Sequence, residues 1–352
     1  MSHRAKVWTA LGTVYVIWGS TYLGIELAGE TIPPLFAVGT RFVAAGLLML
    51  GFTAWRRGFG VLRVRRAELA TALLVGALLP GANAVLFVAA GLLMLGFTAW
   101  RRGFGVLRVR PAELATALLV GALMPGANAV LFVAERHVAT GLSALIIGAV
   151  PLWVVLLRTL GGDRPPAAAL GGVVVGFAGL ALLVRPSGGS PLWALLIVVV
   201  SSVMWATGSF ISSRLPMPAD SFAATSIEML AGGAILLPIG LLTTHPHFAD
   251  FSARSVFGWF YLVTAGSLIG YTAYVWLLDN APLGTVATYA YVNPIVAIAL
   301  GAIVLHESLT WTIGAGAVLV LACVALVVRT EPAPQRPGGE PHPAPVPMTE
   351  AP

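Results

Sequence analysis

Two charged residues, Arg41 in RFVAAGLLML and Glu228 in SIEMLAGG, stand inside otherwise apolar runs, where a charge must be compensated or put to use. By helical rise Arg41 lies roughly 10 Å into its run. The pair can form an ion bridge, offer a counter-charge to a zwitterionic solute, or supply a protonatable group. A snorkelling arginine and a backbone-bonded glutamate are the structural alternative. Trp18, Ser20, Thr21 and Tyr22 in one run, and Trp205, Thr207 and Ser209 in another, set indoles and hydroxyls at corresponding positions. Such groups either bond a ligand or let helices pack closely. In YAYVNPIVAI, Pro294 withdraws a backbone donor, so Tyr291, Asn293 and the freed carbonyls are open to a ligand or a neighbouring helix. Pro151 in GAVPLW repeats the device, and Asn128 follows a Pro-Gly pair, as Asn83 does elsewhere. Tyr271 and Tyr274 share a helix face, whereas Trp276 points away toward an aromatic belt.

Other chemistries have no residues to run them. There is no glycine-rich phosphate loop with a lysine, no paired catalytic carboxylates and no Ser/His/Asp set. His306-Glu307 lacks a second metal ligand at helical spacing, and Glu135-Arg136-His137 reads as a solvated loop. The single cysteine, Cys323, lies in an apolar run and offers no disulfide framework. We expect no enzyme, no cofactor and no bound metal.

The elements that position these residues follow from composition. Of 352 residues, 58% are hydrophobic and 10% charged, with a mean hydropathy of +0.91, whereas soluble domains are about one quarter charged. Arginines sit in short loops between apolar runs, so the net charge of +6 reads as membrane topology and not as nucleic-acid binding. A crossing helix needs about 20 apolar residues. Ten spans are predicted: Val7–Ala28, Pro34–Trp55, Ala112–Ala134, Gly141–Leu160, Ala167–Val184, Leu192–Ile211, Phe222–Leu242, Val256–Leu277, Gly284–Leu305 and Trp311–Val328. The first is too long for a cleaved signal peptide and is expected to stay. Residues 329–352, rich in proline, read as a disordered cytoplasmic tail.

Two repeats are nested in this order. At an offset of 187, Trp18 falls on Trp205 and Arg41 on Glu228; at 143, Gly141 falls on Gly284 and Pro151 on Pro294. The discrepancy comes from a tandem duplication, because Phe42–Ala89 matches Phe87–Ala134 at 46 of 48 positions, 45 residues apart. Removing that copy brings the two offsets within one residue. The chain is therefore two halves of five spans, 7–184 and 192–328, with a duplication inside 42–134. An odd span count inverts one half relative to the other, the architecture of many secondary transporters.

Positive charge orients the bundle. With the N-terminus inside and Glu68–Trp100 entering and returning, 16 of 20 basic residues are cytoplasmic; one crossing would leave ten against nine. Thirty-three helical residues rise about 50 Å, short of the roughly 60 Å that two crossings need. A break at Leu79-Pro80-Gly81-Ala82-Asn83 would then make short tilted helices or a re-entrant hairpin.

VIWGSTYLGI, PPLFAVGTRFVAAGLLML, VMWATGSFISSRLPMP, SIEMLAGG and ATYAYVNPIVAIALG resemble the EamA-domain branch of the drug/metabolite transporter superfamily, most closely its YedA-type exporters. The resemblance covers Val7–Val328 apart from the duplicated 45 residues. It implies an all-α, ten-helix inverted-repeat bundle in the bacterial inner membrane, both termini cytoplasmic. The implied function is export of amino acids, metabolites or drugs by alternating access, coupled to a proton or other ion gradient. The cavity would be lined by the first spans of each half and the spans of Pro151 and Pro294. Lipid and a small organic solute are the implied partners, and a homodimer is left open. The alternative is a transport-inactive or structural membrane protein, its alternating access spoiled by the duplication.

Overall fold

The computed structural model describes residues 2–57, 110–183, 190–218, 221–281, 286, 288–308 and 310–330. The second basic loop, the apolar run Glu68–Trp100 with its Pro-Gly break, and most of the C-terminal tail lie outside the described residues.

Among the described residues the chain forms ten helical rods, all within a few residues of the predicted spans. The first three are α1 (His3–Gly29), α2 (Pro34–Arg57) and α3 (Pro111–Glu135). The fourth is broken into α4 (Thr140–Ile147) and α5 (Val150–Leu160). Then come α6 (Ala167–Leu183), α7 (Leu192–Arg214) and α8 (Ser221–Thr244). The eighth rod joins α9 (Ala253–Tyr261) to α10 (Gly270–Asn280) through a π-wound turn, Leu262–Ile269. The last two are α11 (Tyr289–Val304) and α12 (Trp311–Thr330). Apolar sequence makes helix here because lipid cannot satisfy a backbone amide, so each rod bonds its own. Six rods are long and apolar enough to cross a membrane by length and composition, and three shorter apolar helices accompany them.

The rods stop where local chemistry allows it. Ser2 accepts a bond from Ala5 N at 3.3 Å at the start of α1, and Glu113 reaches back to Arg110 N at 3.0 Å at the start of α3. At the α4–α5 break, Gly148 N bonds Ala144 O at 2.8 Å and Ala149 N bonds Ile146 O at 3.2 Å. Pro151 then enters the first turn of α5, where its missing N–H costs nothing. The predicted span Gly141–Leu160 is thus two helices. Helix α11 of the ninth rod runs from Tyr289, and Gly284, where that span was expected to start, lies outside the described residues.

Packing follows the two-half pattern. Helix α2 pairs most extensively with α8, its offset partner, and α6 pairs with α12. Helix α1 packs on α9, α10 and α11, while α7, its partner, packs on α3, α4 and α5. Exchange of the halves turns one list into the other. The α2–α8 seam is close because it is glycine-lined: a Cβ at Gly39 would stand 2.5 Å from Leu237 N, and one at Gly233 2.8 Å from Val43 N.

Candidate functional site

A cavity of ≈130 Å³ lies where α1 and α7 meet the two proline-bearing rods. Its polar and aromatic lining includes Trp18, Tyr22, Arg41, Asn128, Tyr271 and Asn293. Pro151, Trp205 and Pro294 complete the predicted residues that reach it. Four other candidates do not line it: Ser20, Ser209, Glu228 and Tyr291.

Trp18 is held by the π turn. Its Nε1 donates to Gly266 O at 3.2 Å, and its ring lies 5.3, 5.0 and 5.2 Å from those of Tyr271, Tyr274 and Tyr289. The π turn receives both the first and the second rod, the first through the Gly266 carbonyl and the second through the Ser267 hydroxyl. Arg41, 4% exposed, donates from Nε to Ser267 Oγ at 3.1 Å, and its guanidinium carbon stands 5.0 Å from the Phe42 ring. Its Nη1 is buried with no partner. Asn293 is 8% exposed, and its Oδ1 is likewise buried and unbonded. An unsatisfied cationic donor and an unsatisfied acceptor thus belong to residues of the cavity's wall, beside its aromatic rings.

Arg41 and Glu228 form no ion pair. The guanidinium turns to Ser267, and both charges stand within electrostatic reach of the Tyr271 hydroxyl instead. Asn128 Nδ2 donates to Met124 O at 3.1 Å, one turn back in its own helix. Ser209 Oγ bonds Trp205 O at 2.9 Å and Thr207 Oγ1 bonds Val203 O at 2.8 Å, each satisfied one turn back in its own helix. Ser20 bonds Val16 O at 2.6 Å and meets Tyr261 OH at 2.5 Å on the opposite side of α1 from the cavity. Trp276, as expected, sits at the end of its rod, 6.4 Å from the His3 ring.

The two proline-bearing rods cross at the cavity. A Cβ on Gly148 would lie 3.1 Å from Pro294 Cγ, so the break in one rod is packed against the proline of the other. The sequence pointed to both prolines and to Thr21, but not to Ser201, Gly148, Gly266 or Tyr289 as lining residues.

A second cavity of ≈180 Å³ opens at the far end of α1, lined by Ile25, Glu26, Gly29, Glu30, Phe132, Glu135 and Arg136. Ile25 lines both cavities and is buried between them. Here the solvated reading of Glu135 is corrected: helix α3 runs one residue beyond the predicted span and tucks that side chain against α1, leaving it 3% exposed. His137 is exposed, its ring 4.8 Å from Trp193. Glu307 is a structural group: its carboxylate accepts from Thr140 N at 2.7 Å, Thr140 Oγ1 at 2.9 Å and Gly141 N at 3.2 Å, capping α4.

Residues 192–329 match the family model described as the EamA-like transporter family. The "Uncharacterized inner membrane transporter YedA" of Escherichia coli (strain K12) is 31% identical over 299 residues, covering 83% of this chain and 80% of the relative. The "Uncharacterized transporter YdeK" of Bacillus subtilis (strain 168) is 26% identical, covering 55% of this chain and 68% of the relative. A solved crystal structure at 17% identity covers 91% of this chain and 96% of its own, with a TM-score of 0.53, so the fold is shared. Helices, cavity and kinship agree, and the chain belongs to the EamA-like transporter family.

Proposed function

We propose that this protein exports small organic solutes bearing a carboxylate, amino acids foremost, across the bacterial cytoplasmic membrane by alternating access, with both termini inside. The observation that carries the reading is the pair of buried, unbonded groups in one cavity, Arg41 Nη1 and Asn293 Oδ1. A guanidinium with an unused donor suits a carboxylate, and an amide oxygen suits the ammonium of the same solute. The wall of Trp18, Tyr271 and Tyr289 supplies an apolar surface for a side chain. The two five-span halves, 7–184 and 192–328, are proposed to rock about the α2–α8 seam. The broken α4–α5 rod and the π-wound eighth rod are the places where backbone geometry can adjust.

The experiment is a binding and efflux comparison on proteoliposomes. A panel of amino acids is set against their decarboxylated amines and carboxamides. Arg41→Lys keeps the charge but loses the planar fork and its bond to Ser267. We expect carboxylate solutes to bind about 10–100-fold more weakly to that variant, the scale of a lost charged hydrogen bond. Equal handling of acids and amines by the unmodified protein would overturn the substrate class.

A further inference from the structure

Two acidic residues near the end of α1, Glu135 in the vestibule wall and Glu307 outside it, differ in their partners. Glu307 receives three donors at the start of α4. Glu135 receives none: both carboxylate oxygens are buried and unbonded. It stands in the last turn of α3, where the helix dipole presents its negative end, so the backbone adds repulsion.

From α1 come Glu26, and Tyr22 with its hydroxyl; Glu307 comes from the end of the ninth rod, and the two carboxylates add like charge within electrostatic reach. Glu30 is engaged by Arg254 at 3.1 Å. Arg136, beside Glu135 in sequence, lines the same vestibule but is exposed and donates no hydrogen bond to the Glu135 carboxylate. An ionised carboxylate there has no hydrogen-bond donor and stands beside like charge and the negative end of a helix, a state that buried groups do not sustain. Among the described residues no group of three or more His, Cys, Asp or Glu could hold a metal ion. One proton resolves the conflict.

We propose that Glu135 is a proton-binding site: a proton from water in the vestibule adds to one carboxylate oxygen to give a neutral acid, and its release to water restores the carboxylate. Ile25 alone of the lining residues is common to the vestibule and the central cavity, which places this proton one side chain from the solute. On the exporter reading, on which this last role rests, it is the ion exchanged for solute.

Infrared difference spectroscopy of the purified full-length chain in lipid nanodiscs, in light and heavy water, tests the site without any transport measurement. We expect a protonated-carboxyl stretch at neutral pH that shifts in heavy water. It should be lost in Glu135→Gln and retained in Glu307→Gln. Glu135→Asp, which keeps a carboxyl group, should retain a band at a displaced frequency. Absence of the band in the unmodified protein, its persistence in Glu135→Gln, or its removal by sodium chloride but not choline chloride would each overturn the proposal. A chain that shows the Glu135 band and yet moves no solute loses the exporter reading and keeps the proton site; efflux without the band does the reverse.

Discussion

At the scale of single residues, the polar candidates divide by their partners. Arg41, Asn293 and Glu135 are buried with unbonded polar atoms, whereas Ser209, Thr207 and Asn128 bond back to their own helices. Asp163 belongs to the second kind, in the loop after α5. Its carboxylate takes Arg158 Nε at 2.9 Å and Arg214 at the end of α7, tying the fourth rod to the sixth. The bonds from Arg214 and then Arg158 hold that carboxyl below the usual range. A folded value below the unfolded one means the stabilisation is present above the unfolded pKa and is lost as pH falls through the folded one. Asp163→Asn should therefore lower Tm slightly at neutral pH, the pair being solvent-screened. The gap should close in acid, below about pH 4 where unfolded carboxylates protonate. Thermal unfolding at both pH values checks it, and a gap that persists in acid would count against an ionic cause.

At the scale of elements, the interruptions carry the design. Three rods depart from plain α-helix near the cavity: the fourth breaks at Gly148-Ala149, the eighth winds into a π turn, and the ninth bears Pro294 in its second turn. The prolines were legible in the sequence because a missing N–H is a local property. The π turn was not, since nothing in LVTAGSLI forbids an α-helix; the bonds from Trp18 and Arg41 to its Gly266 and Ser267 come from other rods. The cap on α4 is likewise remote, as Glu307 is 167 residues from Thr140. Glu307→Ala removes three acceptor bonds at a helix start and should cost about 1–2 kcal/mol, the upper range for a lost N-cap. The loss would be read as a lower Tm of the solubilised protein. An unchanged Tm would mean that water replaces the carboxylate.

At the scale of the whole molecule, the ten rods pack with one another among the described residues. Between Arg57 and Pro111 lie 53 residues, of which 45 are the extra copy. Removing residues 66–110 leaves a connector of eight, within the ordinary range between packed antiparallel helices. We expect that shortened chain to keep the helix content and to unfold at the same or a higher temperature. It should also move solute at least as well as the full chain. Efflux by the shortened form alone would mark the duplication as inactivating. Collapse of the shortened form would show instead that the copy is structural.

The sequence by itself determined the class of the molecule: membrane-spanning helices, their number and limits, the two offsets, and the proline positions. Each of these depends on composition, period or spacing along the chain, and lipid leaves an apolar run few alternatives to helix. Only the tertiary structure decided which polar groups are satisfied. Arg41 meets Ser267 and not Glu228, Glu307 caps a helix from the other half, and Glu135 lies buried without a donor. The cause is physical: the state of a polar group in a membrane bundle depends on which donors and acceptors stand within about 3 Å of it. Those neighbours come from rods distant in the chain.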